Sequence, residues 1–340
     1  MKDVAARAGV SVSTVSRVLN GGKASDAVMR RVEEAVRELG YRVNVTARGL
    51  KQRISDIVGV IVADISNPPI SAMFDGICRS LNERGMTVML GNSEAEERNE
   101  LDFLRLFADE RARGVIYTGK RISSDLATAL NTYPGKVVVA TQEHPNLRWP
   151  VVLFDNYGAS LEVLRRLTDH GHRRIAFISG PLEDEQAGRA RLRGYYDGLD
   201  RVGVTPDEAY IRQADFSVSS GYEAMTRILT QSEVPPTAVY AGSDLIAIGA
   251  LRCLQERGIR VPEEVSVFGF DNIPVSSKMI PSLSTVELDF GELGEVCGDL
   301  LGRMFGRERT HVDRVVLSHT VITRESVADR PKRSRHPRST

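Results

Sequence analysis

The sequence predicts an α/β protein: a small three-helix head at the N-terminus, then a large body of two subdomains built on parallel sheets. Residues 1–42 carry three short helical apolar spacings, whereas residues 54–328 alternate short apolar runs with amphipathic segments. The candidate strands of the body are "IVGVIVAD", "TVMLGNS", "GVIYTG", "KVVVAT", "VVLFD", "RIAFISG", "TAVYAG", "VSVFGFD" and "RVVLSHTVI", with helical patterns between most of them. Such alternation produces parallel sheets wrapped by helices, and this many strands exceeds one small sheet. Two α/β subdomains follow.

Each element can be justified in order. Val4, Ala5 and Ala8 form a short apolar face that ends at Gly9, where a missing Cβ lets the chain turn sharply. Ser11 caps a second helix, whose buried side is Val15, Val18 and Leu19, leaving Val12, Ser13, Ser16 and Arg17 outward. A third helix runs from Ser25 or Asp26 to Leu39, with Val28, Val32, Ala35, Val36 and Leu39 closing a small core before Gly40. Two short helices on a glycine turn make a helix-turn-helix, whose second helix fits the major groove of DNA. Small side chains there permit close approach to base edges. Serine hydroxyls donate or accept, Val12 methyls pack on a thymine methyl, and Arg17 binds guanine or a phosphate.

Charge supports that reading. The formal net charge of the 340 residues is zero, but residues 1–53 hold 11 Lys/Arg against 5 Asp/Glu, and the tail 329–340 holds 5 against 1. The body between them is acidic, so the head is the part suited to a polyanion. The three cysteines, Cys78, Cys253 and Cys297, form no CxxC and read as reduced buried thiols. No apolar run approaches the roughly 18 residues that span a bilayer, and the N-terminus lacks a signal-peptide core. A cytoplasmic protein, associated with the nucleoid through DNA binding, is expected.

The segments "KDVAARAGVSVSTVSRVLNG", "VEEAVRELGYRVN" and "TARGL" resemble the head of the LacI/GalR family of bacterial transcriptional repressors. The likeness continues through "VGVIVADISNP", "LFDNYGAS", "GHRRIAFISG", "GSDLIAIGALRCLQERGIRVPEEVSVFGFDNIPVSS" and "PSLSTV", nearly the whole chain. It implies a periplasmic-binding-protein-like (type I) body with a ligand cleft between its subdomains, and four regions: a helix-turn-helix over 1–42, a hinge helix and linker over 43–53, an effector-binding and dimerisation domain over 54–328, and a basic disordered tail over 329–340. In the family the hinge folds when two subunits sit side by side on DNA, and the leucine matching Leu50 wedges into the minor groove. An apolar wedge costs a few kcal/mol of unstacking, offset by the surface that the bend brings into contact. The candidate DNA-contacting set is Val12, Ser13, Thr14, Ser16, Arg17, Asn20, Tyr41, Asn44, Ala47 and Leu50. Departures from the family are Val43 in place of a proline, Gly49 in place of a better helix former, and Val28-Met29 in place of a Thr-Arg pair. A hinge more dependent on DNA and dimer contact is expected.

In open α/β sheets ligands bind beyond the carboxyl ends of the strands. Asp155, Asp244 and Asp271 stand there and can accept hydrogen bonds from a polyol, while Asp155 reads equally as a turn residue and Asp244 as a helix cap. The resemblance implies effector contact for Asp271, a cleft arginine in Arg191 and a stacking aromatic in Phe216. Asn67 and Ile70 bound "NPPI", where relatives commonly read "NPFF", so aromatic cover on that wall is missing. Trp149 reads as loop packing. The family's default effector is a sugar or sugar acid.

An enzyme is not expected. The chain has no GxGxxG after its first strand, no GxxxxGK[ST], no GxSxG and no HExxH. His170 and His172 in "DHGH" would not share a helix face, and neither a metal nor a cofactor is called for. A transport-type sugar receptor without a transcriptional role is the alternative, because it shares the body fold; it should carry a signal peptide and lack a basic head. The expected protein is a repressor that binds a palindromic operator as a homodimer, the tetramer being left open, under allosteric control by a small polar effector.

Overall fold

A computed structural model describes residues 1–19, 22–41, 55–306 and 314–330. It divides into two compact units, Met1–Ser55 and Asp56–Thr340. Asn20, Asn44, Ala47 and Leu50, the rest of the hinge, and tail residues 331–340 lie outside the described residues.

In the first unit α1 (Lys2–Ala8), α2 (Val12–Leu19) and α3 (Asp26–Glu38) pack around Val4, Ala5, Ala8, Val15, Val32 and Ala35. Gly9, at φ 62, ends α1 in the left-handed region and turns the chain into α2. The Ser11 hydroxyl accepts the Thr14 N–H at 3.1 Å, capping α2 as its sequence requires. One expectation is corrected. Leu39 does not close the core but is 46% exposed, because α3 stops at Glu38 and Leu39 is its C-cap. The chain then turns back, the Tyr41 N–H bonds the Val36 carbonyl, and the Tyr41 ring packs on the core instead.

In the second unit the first lobe is a six-stranded, wholly parallel sheet in the order β11-β5-β4-β3-β1-β2. Its strands are β1 (Ile57–Val62), β2 (Thr87–Asn92), β3 (Gly114–Thr118), β4 (Lys136–Ala140), β5 (Val151–Phe154) and β11 (Arg314–Leu317). Helices α4 (Pro68–Asn82), α5 (Glu97–Asp109), α6 (Ser124–Thr132) and α11 (Phe290–Met304) cover its two faces, which is why its strands read as continuous apolar runs. The second lobe is a four-stranded parallel sheet, β7-β6-β8-β9, of β6 (Ile175–Ser179), β7 (Ile211–Gln213), β8 (Ala238–Ala241) and β9 (Ser266–Phe268). Helices α7 (Asn156–Asp169) and α8 (Arg191–Asp200) pack on one face, α9 (Val218–Gln231) and α10 (Asp244–Glu256) on the other. The chain crosses between lobes after β5, between β10 (Thr285–Glu287) and α11, and between β11 and β12 (Thr320–Ile322).

That last crossing differs from the expected single strand over "RVVLSHTVI". The run splits at Ser318-His319: β11 joins the first sheet beside β5, and β12 pairs antiparallel with β10. β7 and β10 fall outside the expected strands, because Ile-Arg-Gln and Thr-Val-Glu each hold a single aliphatic residue and form no apolar run. The first two residues of the expected tail are tied down, since Asp329 pairs with His170 at 2.7 Å and the Arg330 N–H bonds the His170 carbonyl at 2.8 Å.

Candidate functional site

The head presents one short face. Val12 is 42% exposed, Ser13 and Arg17 are exposed, and Thr14 and Ser16 are half-buried, whereas Val15 beneath them is inaccessible. The hydroxyls of Ser13 and Thr14 lie 2.7 and 2.8 Å from that of Ser11, so the capping serine also orders the polar face above it. A protruding face of hydroxyls, a valine methyl pair and a guanidinium can meet base edges and phosphates. Tyr41 is only half-buried, its body in the core and one side open.

The body carries a cavity of about 440 Å³ between its two lobes. Asp64, Asn67, Pro69, Ile70, Thr118, Gly119, Lys120, Thr141 and Gln142 supply the first lobe's wall. Asn156, Asp184, Gln186, Arg191, Phe216, Ser243 and Asp271 supply the second's, with Phe154, Leu288 and Phe290 from the crossovers. Five of the seven residues expected at the ligand thus line one cavity: Asn67, Ile70, Arg191, Phe216 and Asp271.

Their positions have local causes. Arg191, 3% exposed at the start of α8, donates from Nε to Asn156 Oδ1 at 2.8 Å and from Nη1 to the Gly242 carbonyl. Its guanidinium lies 3.7 Å over the Phe270 ring centroid and 3.5 Å from Asp271 Oδ1. This buried cation is therefore oriented before any ligand arrives. Asp271 sits at φ 102, a backbone conformation that a side chain rarely adopts and that marks functional sites. Burial pushes its carboxyl up to about 7 against the opposing pull of Arg191. Phe216, at φ 70, lays its ring over Gly180, where a Cβ would fall 2.1 Å from the ring edge; only glycine leaves that space.

Asp155 and Asp244 do not line the cavity. The Asp155 carboxylate turns back to accept the Gly158 N–H at 2.8 Å, capping α7, and the next residue, Asn156, takes its expected place. Asp244 is wholly buried beneath the floor, accepting from the Ile273 N–H at 2.9 Å and from the hydroxyls of Ser276 and Thr285. Burial raises it to about 6 against those three donors. It holds the loop that carries Asp271. Trp149 packs away from the cavity, its Nε1–H on the Leu130 carbonyl at 2.8 Å. His172 is buried, with Nδ1 3.1 Å from the Thr237 hydroxyl and Nε2 3.2 Å from the Ala328 carbonyl.

Behind Gly119 lies another buried carboxyl. Glu100 Oε1 is 3.1 Å from the Tyr117 hydroxyl, and burial, against the Tyr117 hydrogen bond, pushes it up to about 7. Its folded value stands above the ordinary 4.5, so the folded state binds the extra proton and loses stability as pH rises from about 4.5 through 7. Glu100→Gln is therefore expected to raise the melting temperature by a few degrees at pH 8 and by much less at pH 5. Thermal unfolding at both pH values checks this; an equal shift at each would show that Glu100 is not charged at the expense of the fold.

Among the described residues no cluster of three His, Cys, Asp or Glu is arranged to hold a metal, and no helix is long and apolar enough to cross a membrane. A DNA-reading helix-turn-helix and a two-lobed body with a ligand cleft, in one chain, define the class of ligand-responsive transcription regulators. Residues 1–44 match the bacterial regulatory proteins of the lacI family, and residues 164–327 match the periplasmic binding protein-like domain. The chain is 36% identical over 309 residues to the HTH-type transcriptional repressor CytR of Escherichia coli (strain K12), covering 90% of each. It resembles a complex of the transcriptional regulator CelR with cellobiose at TM-score 0.74 and 32% identity, over 96% of this chain and 98% of that one. It also resembles the lac repressor dimer bound to operator and the anti-inducer ONPF, at TM-score 0.85 and 26% identity, with the same two coverages. The chain belongs to the LacI family of bacterial transcription regulators, and the alternative of a receptor with no transcriptional role falls away.

Proposed function

We propose that this regulator is a repressor that sits as a homodimer on a palindromic operator and changes its grip when a small polyhydroxylated effector enters the cleft. The observation that carries the reading is the cavity itself, in which Arg191 and Asp271 are held in fixed geometry beside the Phe216 ring. Its volume of about 440 Å³ suits a mono- or disaccharide. Carboxylates Asp64, Asp184, Asp215 and Asp271 against the cations Lys120 and Arg191 favour a neutral polyol over a sugar acid. CelR holding cellobiose and the lac repressor holding operator and ONPF together are precedents for both ligands.

The division of labour follows the sequence. Residues 1–42 read bases through Val12, Ser13, Thr14, Ser16, Arg17 and Asn20, with Tyr41 at the edge; residues 43–53 form the hinge, with Asn44, Ala47 and Leu50 toward the minor groove; residues 54–328 bind effector and dimerise. Effector biases the orientation of the lobes, and that orientation sets the spacing of the paired heads. The protein performs no chemistry on its ligand and works in the cytoplasm, on the nucleoid.

Selection from a random DNA pool with the full-length protein, at near-physiological salt, tests the reading. An inverted repeat with a flexible central CG, CA or TA step is expected. If no motif emerges with or without pooled sugars, the protein does not read an operator. On the selected site Leu50→Ala is expected to weaken binding at least tenfold, about 1.4 kcal/mol, with the dimer intact; unchanged affinity in a filter or anisotropy assay removes the wedge.

A further inference from the structure

Among the described residues one hydrogen bond between buried side chains spans the cleft. Gln142, just beyond β4 in the first lobe, donates from Nε2 to Oδ1 of Asp184 in the second at 2.9 Å, and the two residues are 2% and 7% exposed. Special backbone sets both ends. Thr141, immediately before Gln142, is a β-branched residue at φ 64, a conformation that persists only where its surroundings enforce it. Asp184 caps a π-helical turn, Glu185–Ala190, and its Oδ1 also accepts the N–H groups of Gln186 and Ala187 at 2.9 and 2.7 Å. π-turns cluster at functional sites because they aim side chains that a regular helix would not.

A second, outer contact lies beside the first. Gln186 Nε2 donates to Glu143 Oε1 at 3.4 Å, and Glu143 is held by Arg314 of β11 at 3.1 Å. The covalent crossovers reach the cavity through Phe154, Leu288 and Phe290, so these hydrogen bonds span the cleft where no chain does. Among the described residues no hydrogen bond ends on Asp184 Oδ2, although the residue lines the cavity. One carboxylate thus joins the lobes through one oxygen and keeps the other for a ligand.

We propose that the Gln142–Asp184 pair is a latch that holds the two lobes closed over the cleft, and that a donor group of the effector acts on it through the second Asp184 oxygen. The effector clause rests on the ligand-cleft reading above; the latch itself does not. With the latch broken, water reaches both walls and the segments flanking it exchange their amide protons sooner.

The test is amide hydrogen exchange, read by mass spectrometry on the full-length protein without DNA or ligand, over residues 141–147 and 181–190. Gln142→Glu sets two carboxylates against each other and is expected to speed exchange there at least fivefold at pH 8. Gln142→Met keeps the length of the side chain but removes the donor without adding charge, and should speed exchange there at least threefold while leaving the Asp184 cap on the Gln186 and Ala187 N–H groups. Wild-type exchange in either variant overturns the latch. For the effector clause the probe is cellobiose at 10 mM: slowed exchange in the wild type that persists unchanged in Asp184→Asn, or no slowing in the wild type at all, overturns it. A failed operator selection would sink the regulatory reading and leave the ligand-free rates standing.

Discussion

Arg191→Ala is expected to remove the effector response and to destabilise the body by about 3 kcal/mol at pH 8, the low end of what breaking a buried charge pair costs. The substitution strands Asp271, and it empties the space over Phe270 and orphans the Gly242 carbonyl and Asn156 Oδ1. Asp271 already stands near 7, and without the guanidinium its carboxyl rises further. Above pH 7 the variant then binds more protons than the wild type, so the loss grows with pH and should shrink at pH 6. Arg191→Lys keeps a charge but not the planar fork, and should recover only part of the stability. Thermal unfolding of the three proteins at pH 6 and pH 8 reads the effect; a variant as stable as wild type at pH 8 would mean that Arg191 holds nothing together.

Val15→Asp should abolish specific operator binding while leaving the body folded. Val15 is fully buried among the few residues that make up the core of the head, with Val4, Ala5, Ala8, Val32 and Ala35. A carboxylate there has no partner, and its burial costs several kcal/mol, comparable with the whole stability of so small a domain. Operator affinity is expected to fall at least 100-fold, toward the nonspecific level, and the main calorimetric transition of the body should stay in place. Retained operator affinity would show that the head tolerates charge at its centre, against the packing described here.

The head was almost wholly legible in the sequence. Its boundaries are set by local chemistry, namely Gly9, the Ser11 hydroxyl and apolar residues at helical spacing, and local chemistry is what a sequence displays. Leu39 failed for a related reason: it continues the periodic face, but the helix had already ended one residue earlier. In the body, apolar runs located the long strands, and the strand-end rule led to the cavity. It missed by a single residue at Asp155 and Asn156, because a helix cap and a cavity wall are adjacent positions and side-chain direction decides between them. Gln142, Asp184 and Gln186 carried no local signal. Their chemistry arises only when β4 and β6, which belong to different sheets, are brought face to face. The π-turn that aims Asp184 and Gln186 also follows from no periodicity in the sequence.

The split of "RVVLSHTVI" between two sheets constrains how the protein is made. β5, the fifth strand of the first sheet, acquires its neighbour β11 only when residues 314–317 have been synthesised, after the whole second lobe. Until then one side of β5 is an unpaired parallel edge, the kind of surface on which nascent chains join wrongly or are held by chaperones. The first lobe therefore cannot be completed on the ribosome ahead of the second. A chain broken off anywhere before residue 314 carries an open sheet however well its head has folded, so quality control of this regulator is tied to the last strands to emerge.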